Sequence, residues 1–218
     1  MRQFKDLPHH KKLRKQLVNR IRDKGISNER VLEAIYDVPR HFFMHPDQEE
    51  LAYVDKAFPV GEGQTISQPY TVGYQTQLLQ VQPSHRVLEI GTGSAYQAVI
   101  LAELAAEVFS VERQKKLYDR NQHFRYLKMF NNLHLFYGDG YEGLSDYAPF
   151  DRILITAAAP YVPQKLEEQL KTGGKLVLPL GAADTQKMVC ITKLNNEELI
   201  REEFDDFSFV PMLEGRKE

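Results

Sequence analysis

The sequence predicts an α/β fold: a doubly wound, mostly parallel Rossmann-like sheet with a closing antiparallel strand pair and a small helical N-terminal lead-in. Three observations predict it. Val87-Leu88-Glu89-Ile90 runs into Gly91-Thr92-Gly93 and then a helical stretch, the strand, glycine turn and helix of a Rossmann-type unit. Further apolar strands follow at Val108–Val111, Leu133–Tyr137, Arg152–Thr156 and Lys175–Leu180, most of them separated by helical segments, which demands parallel pairing. Met188–Leu194 and Leu199–Pro211 then read as two longer strands with no helix between them, and Asn195-Asn196 offers the turn of a hairpin.

Taken in order, residues 1–55 form the lead-in. Residues 10–24 place Leu13, Leu17, Val18 and Ile21 on one helical face, and Gly25 stops that helix. Asn28 caps a second helix carrying Val31, Leu32, Ile35 and Val38, which Pro39 ends. Residues 56–85 comprise a loop over 57–69, rich in turn formers, and a helix from Tyr70 to Gln80. Pro69 suits the first turn of that helix, where no backbone N–H is needed. Residues 86–218 form the sheet-bearing core. Its helices are expected over 94–104, 113–129 and Pro163–Leu170, with a short one after the third strand. One domain spanning 1–218 is the expectation.

Composition narrows the function classes. A chain of 218 residues with 42% apolar content buries enough surface to fold without disulfides or metal. Cys190 is alone in an apolar run, Met1-Arg2-Gln3-Phe4-Lys5-Asp6 lacks a signal-peptide core, and the longest apolar run is only Ala98–Ala102. A cytoplasmic chain that does not enter membranes is expected, as a monomer. Residues 1–24 hold nine Lys or Arg against two Asp, and residues 197–206 hold six acids against one Arg. The basic stretch lacks the interleaved aromatics of a nucleic-acid site, so it reads as a solvated helix face and no nucleic-acid partner is expected. His41 and His45 stand four apart, but no third ligand is near in sequence, so no metal is expected.

The chemistry gathers in the loops after the strands. Gly91 and Gly93 let the backbone turn sharply and approach a ligand, and the following helix aims free N–H groups at it. Glu112 closes the second strand at the distance where a Rossmann unit places a ribose-binding acid, although a surface Glu at a helix start fits the same position. Gly138-Asp139-Gly140 closes the third strand and either receives an amino group on a flat ligand edge or forms an ordinary Asp-Gly turn. These loops suit a nicotinamide dinucleotide or S-adenosylmethionine. The short stretch after Thr156 offers no second nucleotide site, which favours the smaller methyl donor.

Gly63-Gln64-Thr65-Ile66-Ser67-Gln68-Pro69 sharpens the reading. Here the sequence resembles the protein-L-isoaspartate O-methyltransferases, enzymes of protein repair. Val38-Pro39-Arg40, Ala52-Tyr53 and Phe58-Pro59-Val60-Gly61 precede that loop in the family's order. Val87 to Gln97, Gly138 to Tyr141, Pro149 to Ile153, Thr156 to Ala159, Gly173 to Val177 and Phe209-Val210-Pro211 follow it. The resemblance covers residues 10 to 212. Two departures stand out. Ala95 occupies a position where the family has Gly, which is harmless in helical backbone and strained at positive φ. Pro211-Met212-Leu213 is apolar where a small polar residue is usual.

The resemblance implies methyl transfer from S-adenosylmethionine to the free carboxylate of L-isoaspartyl residues in damaged proteins or peptides. Other possibilities are a methyltransferase of another substrate class and a protein that binds the cofactor without this activity. It implies Ser67 as the catalytic residue, although Ser67 also suits the cap of the helix starting near Pro69. It places Gln64, Thr65 and Ile66 against the cofactor, Gly91, Thr92, Gly93 and Ser94 on its methionine part, Glu112 on its ribose, and Asp139 with Gly140 on its adenine.

Overall fold

In the computed structural model, residues 5–195 and 198–218 are described, so Asn196 of the expected Asn195-Asn196 turn lies outside the described residues. Helix α1 (Pro8–Asp23) opens the chain, and Gly25 at φ 109° ends it. Helix α2 (Glu29–Asp37) is capped by Asn28, whose side chain accepts from the Val31 N–H. The apolar faces of both helices are buried with Val87, Val99 and Leu101 of the sheet-bearing core, so the lead-in is one wall of a common core. Arg30 fastens α2 to that core by donating to the carbonyls of Val81 and Leu104.

The stretch read as a loop over 57–69 contains a two-stranded ribbon, β1 (Phe58–Gly61) against β2 (Gln64–Ile66). Its turn uses positive φ at Gly61, Glu62 and Gly63, a reversal that two glycines accommodate without a Cβ clash. Helix α3 (Pro69–Leu79) follows.

Next come β3 (Arg86–Ile90), α4 (Tyr96–Leu104), β4 (Glu107–Glu112), α5 (Lys115–Gln122), β5 (Leu133–Tyr137), β6 (Phe150–Ile155), α6 (Gln164–Glu168), β7 (Leu170–Leu180), β8 (Gln186–Lys193) and β9 (Leu199–Phe207). The sheet order is β5-β4-β3-β6-β7-β8-β9, parallel through β7 and antiparallel for β8 and β9. The doubly wound sheet with a closing antiparallel pair is therefore as expected. The chain starts at the centre on β3, runs outward to β5, then returns beside β3 as β6. That reversal opens a crevice at the carboxyl ends of β3, β4 and β6, where open α/β sheets bind ligands.

Three helices differ from expectation. The one expected over 94–104 starts at Tyr96, because Ala95 is left-handed at φ 69°. The one expected over 113–129 divides into α5 and a 3-10 turn at Arg125–Met129. Packing causes the division: Phe124 and Tyr126 turn inward to meet Phe43 edge-on, at ring-centroid distances of 5.3 and 5.7 Å. The one expected over Pro163–Leu170 keeps only Gln164–Glu168, since Leu170 already pairs with Phe150 in the sheet. The last strand ends at Phe207, and residues 208–213 cross the carboxyl edge of the sheet instead.

Candidate active site

A cavity of about 610 Å³ occupies the crevice, within the range of small-molecule sites. Gln64, Thr65, Ile66 and Ser67 line it from the ribbon and the loop after it. Gly91, Thr92, Gly93 and Ser94 line it from the glycine turn, and Glu112, Gly140 and Thr156 from the ends of β4, β5 and β6. Residues far apart in sequence thus meet because three parallel strands end side by side.

Glu112 organises the glycine turn. Its Oε2 accepts from the Gly93 N–H and its Oε1 from the Gln114 N–H, both at 2.8 Å. Burial pushes its pKa above the usual carboxylate range, against the pull of those N–H groups and of Arg113. Asn121 holds the other side of the turn, donating to the Gly93 carbonyl at 3.0 Å. Gly91 is at φ 100°, and a Cβ there would sit 2.5 Å from Thr156 Oγ1, which itself donates to the Ile90 and Gly91 carbonyls. Its glycine is therefore required by the neighbouring strand end as well as by the turn.

Beneath the turn lies a polar chain that sequence reasoning missed. Glu89 is fully buried; its Oε2 accepts from Ser110 Oγ at 2.5 Å, and Ser110 Oγ lies 2.6 Å from Thr92 Oγ1. Glu89 Oε1 has no hydrogen-bond partner among the described residues. Burial, reinforced by Glu112, pushes the Glu89 pKa to about 8 despite the Ser110 hydroxyl, so its carboxyl is neutral at pH 7. The only sequence signal was a charged residue inside an apolar strand.

Asp139 stands apart from the other expected residues. Gly140 lines the cavity, whereas the Asp139 carboxylate accepts from the Tyr141 N–H at 2.9 Å and the Gly215 N–H at 2.7 Å. It ties the C-terminal segment across the sheet edge. That segment, 206–213, supplies a further cavity wall that includes Phe207, Phe209 and Met212.

Ser67 lies just before α3, but it does not cap it. The cap residue is Gln68, and Ser67 Oγ makes no hydrogen bond among the described residues. The ribbon carrying Gln64–Ile66 is pinned to α5 at its tip: Gln114 donates to the Glu62 carbonyl at 3.0 Å and Arg120 to that of Val60 at 2.7 Å.

His41 and His45 do not converge, since His45 is exposed while His41 is buried with its Nδ1 2.6 Å from Tyr53 Oη. His41 instead gathers with His10 and Asp6. The Arg14 guanidinium spans the Asp6 carboxylate at 3.0 and 2.9 Å, so a cation already neutralises that group.

Comparisons with known proteins agree with this geometry. A sequence profile of the family described as protein-L-isoaspartate(D-aspartate) O-methyltransferase matches residues 11–217. The chain is 49% identical over 213 residues to the protein-L-isoaspartate O-methyltransferase of Flavobacterium johnsoniae, covering 98% of this chain and 100% of that one. It is 53% identical over 208 residues to that of Cytophaga hutchinsonii, covering 94% and 92%. A solved structure, described as a putative protein-L-isoaspartate O-methyltransferase from Plasmodium falciparum in complex with S-adenosyl-L-homocysteine, superposes with a TM-score of 0.80 at 25% identity. That superposition covers 92% of this chain and 98% of the other.

Proposed function

The chain belongs to the protein-L-isoaspartate(D-aspartate) O-methyltransferase family, and from that premise we propose how its own residues move a methyl group from S-adenosylmethionine to the free carboxylate of L-isoaspartyl residues in damaged proteins or peptides. The residues present fit the cofactor. The turn at Gly91–Ser94 receives its methionine part, Glu112 its ribose hydroxyls through the lone pairs left by Gly93 and Gln114, and Gln64–Ile66 lie along its length. The adenine end belongs to Gly140, with Asp139 setting the loop and keeping lone pairs for an amino group. When bound, S-adenosylmethionine supplies an electrophilic methyl group on a sulfonium.

The observation that carries the reading is Ser67: a hydroxyl with no hydrogen bond among the described residues, on the cavity wall, at the approach to a helix N-terminus. An isoaspartyl carboxylate has a pKa near 4 and arrives ionised, so the site needs no general base. Ser67 donates to that carboxylate and orients it, the start of α3 favours its charge, and the apolar walls of Ile66, Phe207 and Met212 keep water from it.

The reading extends to a single domain over 1–218, supported by the core that the lead-in shares with the sheet. It also extends to a monomer working in the cytoplasm, supported by a lone buried thiol at Cys190 and by a cavity lined from one chain. No helix among the described residues is long and apolar enough to cross a membrane.

The test incubates the protein with radiolabelled methyl donor and paired isoaspartyl and aspartyl peptides. Base-labile label on the isoaspartyl peptide alone is the expected result. Ser67→Ala should keep the fold and cofactor affinity and lose most of the label; undiminished turnover would remove Ser67 from the mechanism.

A further inference from the structure

Ser67 has a free hydroxyl because a distant side chain does the capping. Pro69 is the first residue of α3 and has no N–H, so the first backbone donor of that helix is Tyr70. The Tyr70 N–H donates to Asp55 Oδ1 at 2.8 Å. Gln68, the residue at the cap position, makes no cap bond of its own, and its side chain also hydrogen-bonds to Asp55. The other carboxylate oxygen accepts from Lys24 Nζ at 2.6 Å, at the end of α1. Only 4% of the Asp55 side chain is exposed. Burial would raise its pKa, but Lys24, the Tyr70 N–H and Gln68 outweigh burial and hold it below the ordinary range. It is a fixed, ionised anchor.

We propose that Asp55 is a positioning residue for methyl transfer: by gripping Gln68 and the Tyr70 N–H it fixes the turn over 67–70 from outside the cavity, and so holds the Ser67 hydroxyl unspent toward the substrate carboxylate. The inference rests on the role given to Ser67 above. A serine that capped its own helix would spend its oxygen on a backbone N–H. Asp55 takes that N–H instead, from a segment fifteen residues away in sequence. Its partners all lie at the end of α1 and around the start of α3, while the cofactor's ribose and methionine contacts come from β4 and the turn after β3. The orientation of the nucleophile therefore depends on Asp55 and cofactor affinity does not.

A competing account is that Asp55 matters only as the ion-pair partner that staples α1 to α3 through Lys24. Charge and geometry separate the two. Asp55→Asn keeps an acceptor at the same reach and loses the charge. Asp55→Glu keeps the charge and displaces the acceptor by one methylene. Both variants, with Asp55→Ala, Ser67→Ala and the double variant Asp55→Glu/Ser67→Ala, are assayed for kcat and KM on an isoaspartyl peptide. The Kd of S-adenosylhomocysteine is measured by calorimetry. Asp55→Glu is expected to lower kcat at least tenfold with Kd within threefold, and Asp55→Asn to recover kcat to within about fivefold of the parent. Added to Ser67→Ala, Asp55→Glu should change the residual turnover by less than twofold. Should Asp55→Ala fail to fold, the Glu and Asn pair still decides the matter. A loss in Asp55→Asn as deep as that in Asp55→Glu overturns the proposal in favour of the ion pair. A full tenfold effect of Asp55→Glu in the Ser67→Ala background also overturns it, while leaving the role of Ser67 standing. Parent-like turnover in Ser67→Ala alone refutes the underlying reading and the proposal with it.

Discussion

Glu112→Gln tests the centre of the site by exchanging one carboxylate oxygen for an amide nitrogen. In the parent, two backbone N–H groups converge on the two carboxylate oxygens, from Gly93 and Gln114, each at 2.8 Å. An amide has one oxygen and one NH2, so whichever way the substituted side chain turns, one backbone N–H faces another donor. A hydrogen bond to a charged group contributes about 1.5–3 kcal/mol, and roughly half of that remains when the acceptor is neutral. The variant loses one such bond, weakens the other, and offers the ribose one acceptor instead of two. The loosened turn at Gly93 then has to be ordered by the ligand. Together these place the loss of cofactor binding at about 2–4 kcal/mol, which is about 30- to 700-fold in Kd. Calorimetric titration with S-adenosylhomocysteine at pH 7 measures it, and urea unfolding of the free variant records any share lost to stability. A Kd within threefold of the parent refutes the reasoning, because it would mean that the carboxylate neither shapes the turn nor meets the ribose.

Local signals made much of this legible, and contacts at long range explain most of what was not. The strand, turn and helix from Val87 to Leu104 form one covalent run, so apolar pattern and glycine spacing suffice to place them. Glu112 could be placed because a parallel unit returns the chain to the same sheet edge at nearly constant length. The division of the helix after Glu112 was hidden, because no Gly or Pro marks residue 123 or 124; Phe124 and Tyr126 leave the helical path for Phe43, some eighty residues earlier. The ribbon over 58–66 was hidden by its own composition, since Pro59 and three turn residues read as loop even though an edge ribbon tolerates both. Asp139 shows the reverse error. Its Gly-Asp-Gly setting suggests ligand contact, yet both its oxygens hold backbone N–H groups, one of them seventy-six residues away at Gly215. Ser67 and Asp55 divide a single task between them. The sequence marks the serine, but only the folded chain shows that a carboxylate from before the ribbon relieves it of capping.

Three further outcomes follow from the packing and the buried charges. Ile21→Ala, in the lead-in but fully buried, should cost about 2–5 kcal/mol and still give one cooperative urea transition; a separate early transition would show that the lead-in is not part of the common core. Ala95→Gly relieves about 1–2 kcal/mol of left-handed strain but gives up a buried methyl worth about 0.8 kcal/mol and adds about 0.4–1 kcal/mol of freedom to the unfolded chain, so the unfolding free energy should move by no more than about 1 kcal/mol in either direction. A loss above about 2 kcal/mol would contradict the left-handed geometry at Ala95. The last outcome concerns Glu89. Its carboxyl titrates at about 8 in the folded protein against an ordinary value of 4.5, so between those values the folded state holds a proton that the unfolded chain has released. Stability falls with pH where the folded state binds more protons, so the contribution of this group is complete below about pH 4.5 and declines up to about pH 8, by a few kcal/mol. Glu89→Gln keeps the shape and an acceptor for Ser110 but cannot ionise. Urea midpoints at pH 5 and pH 8 should therefore converge in the variant relative to the parent, with the parent losing more on the alkaline side; parallel losses in both proteins would show that the carboxyl beneath the glycine turn is ionised throughout.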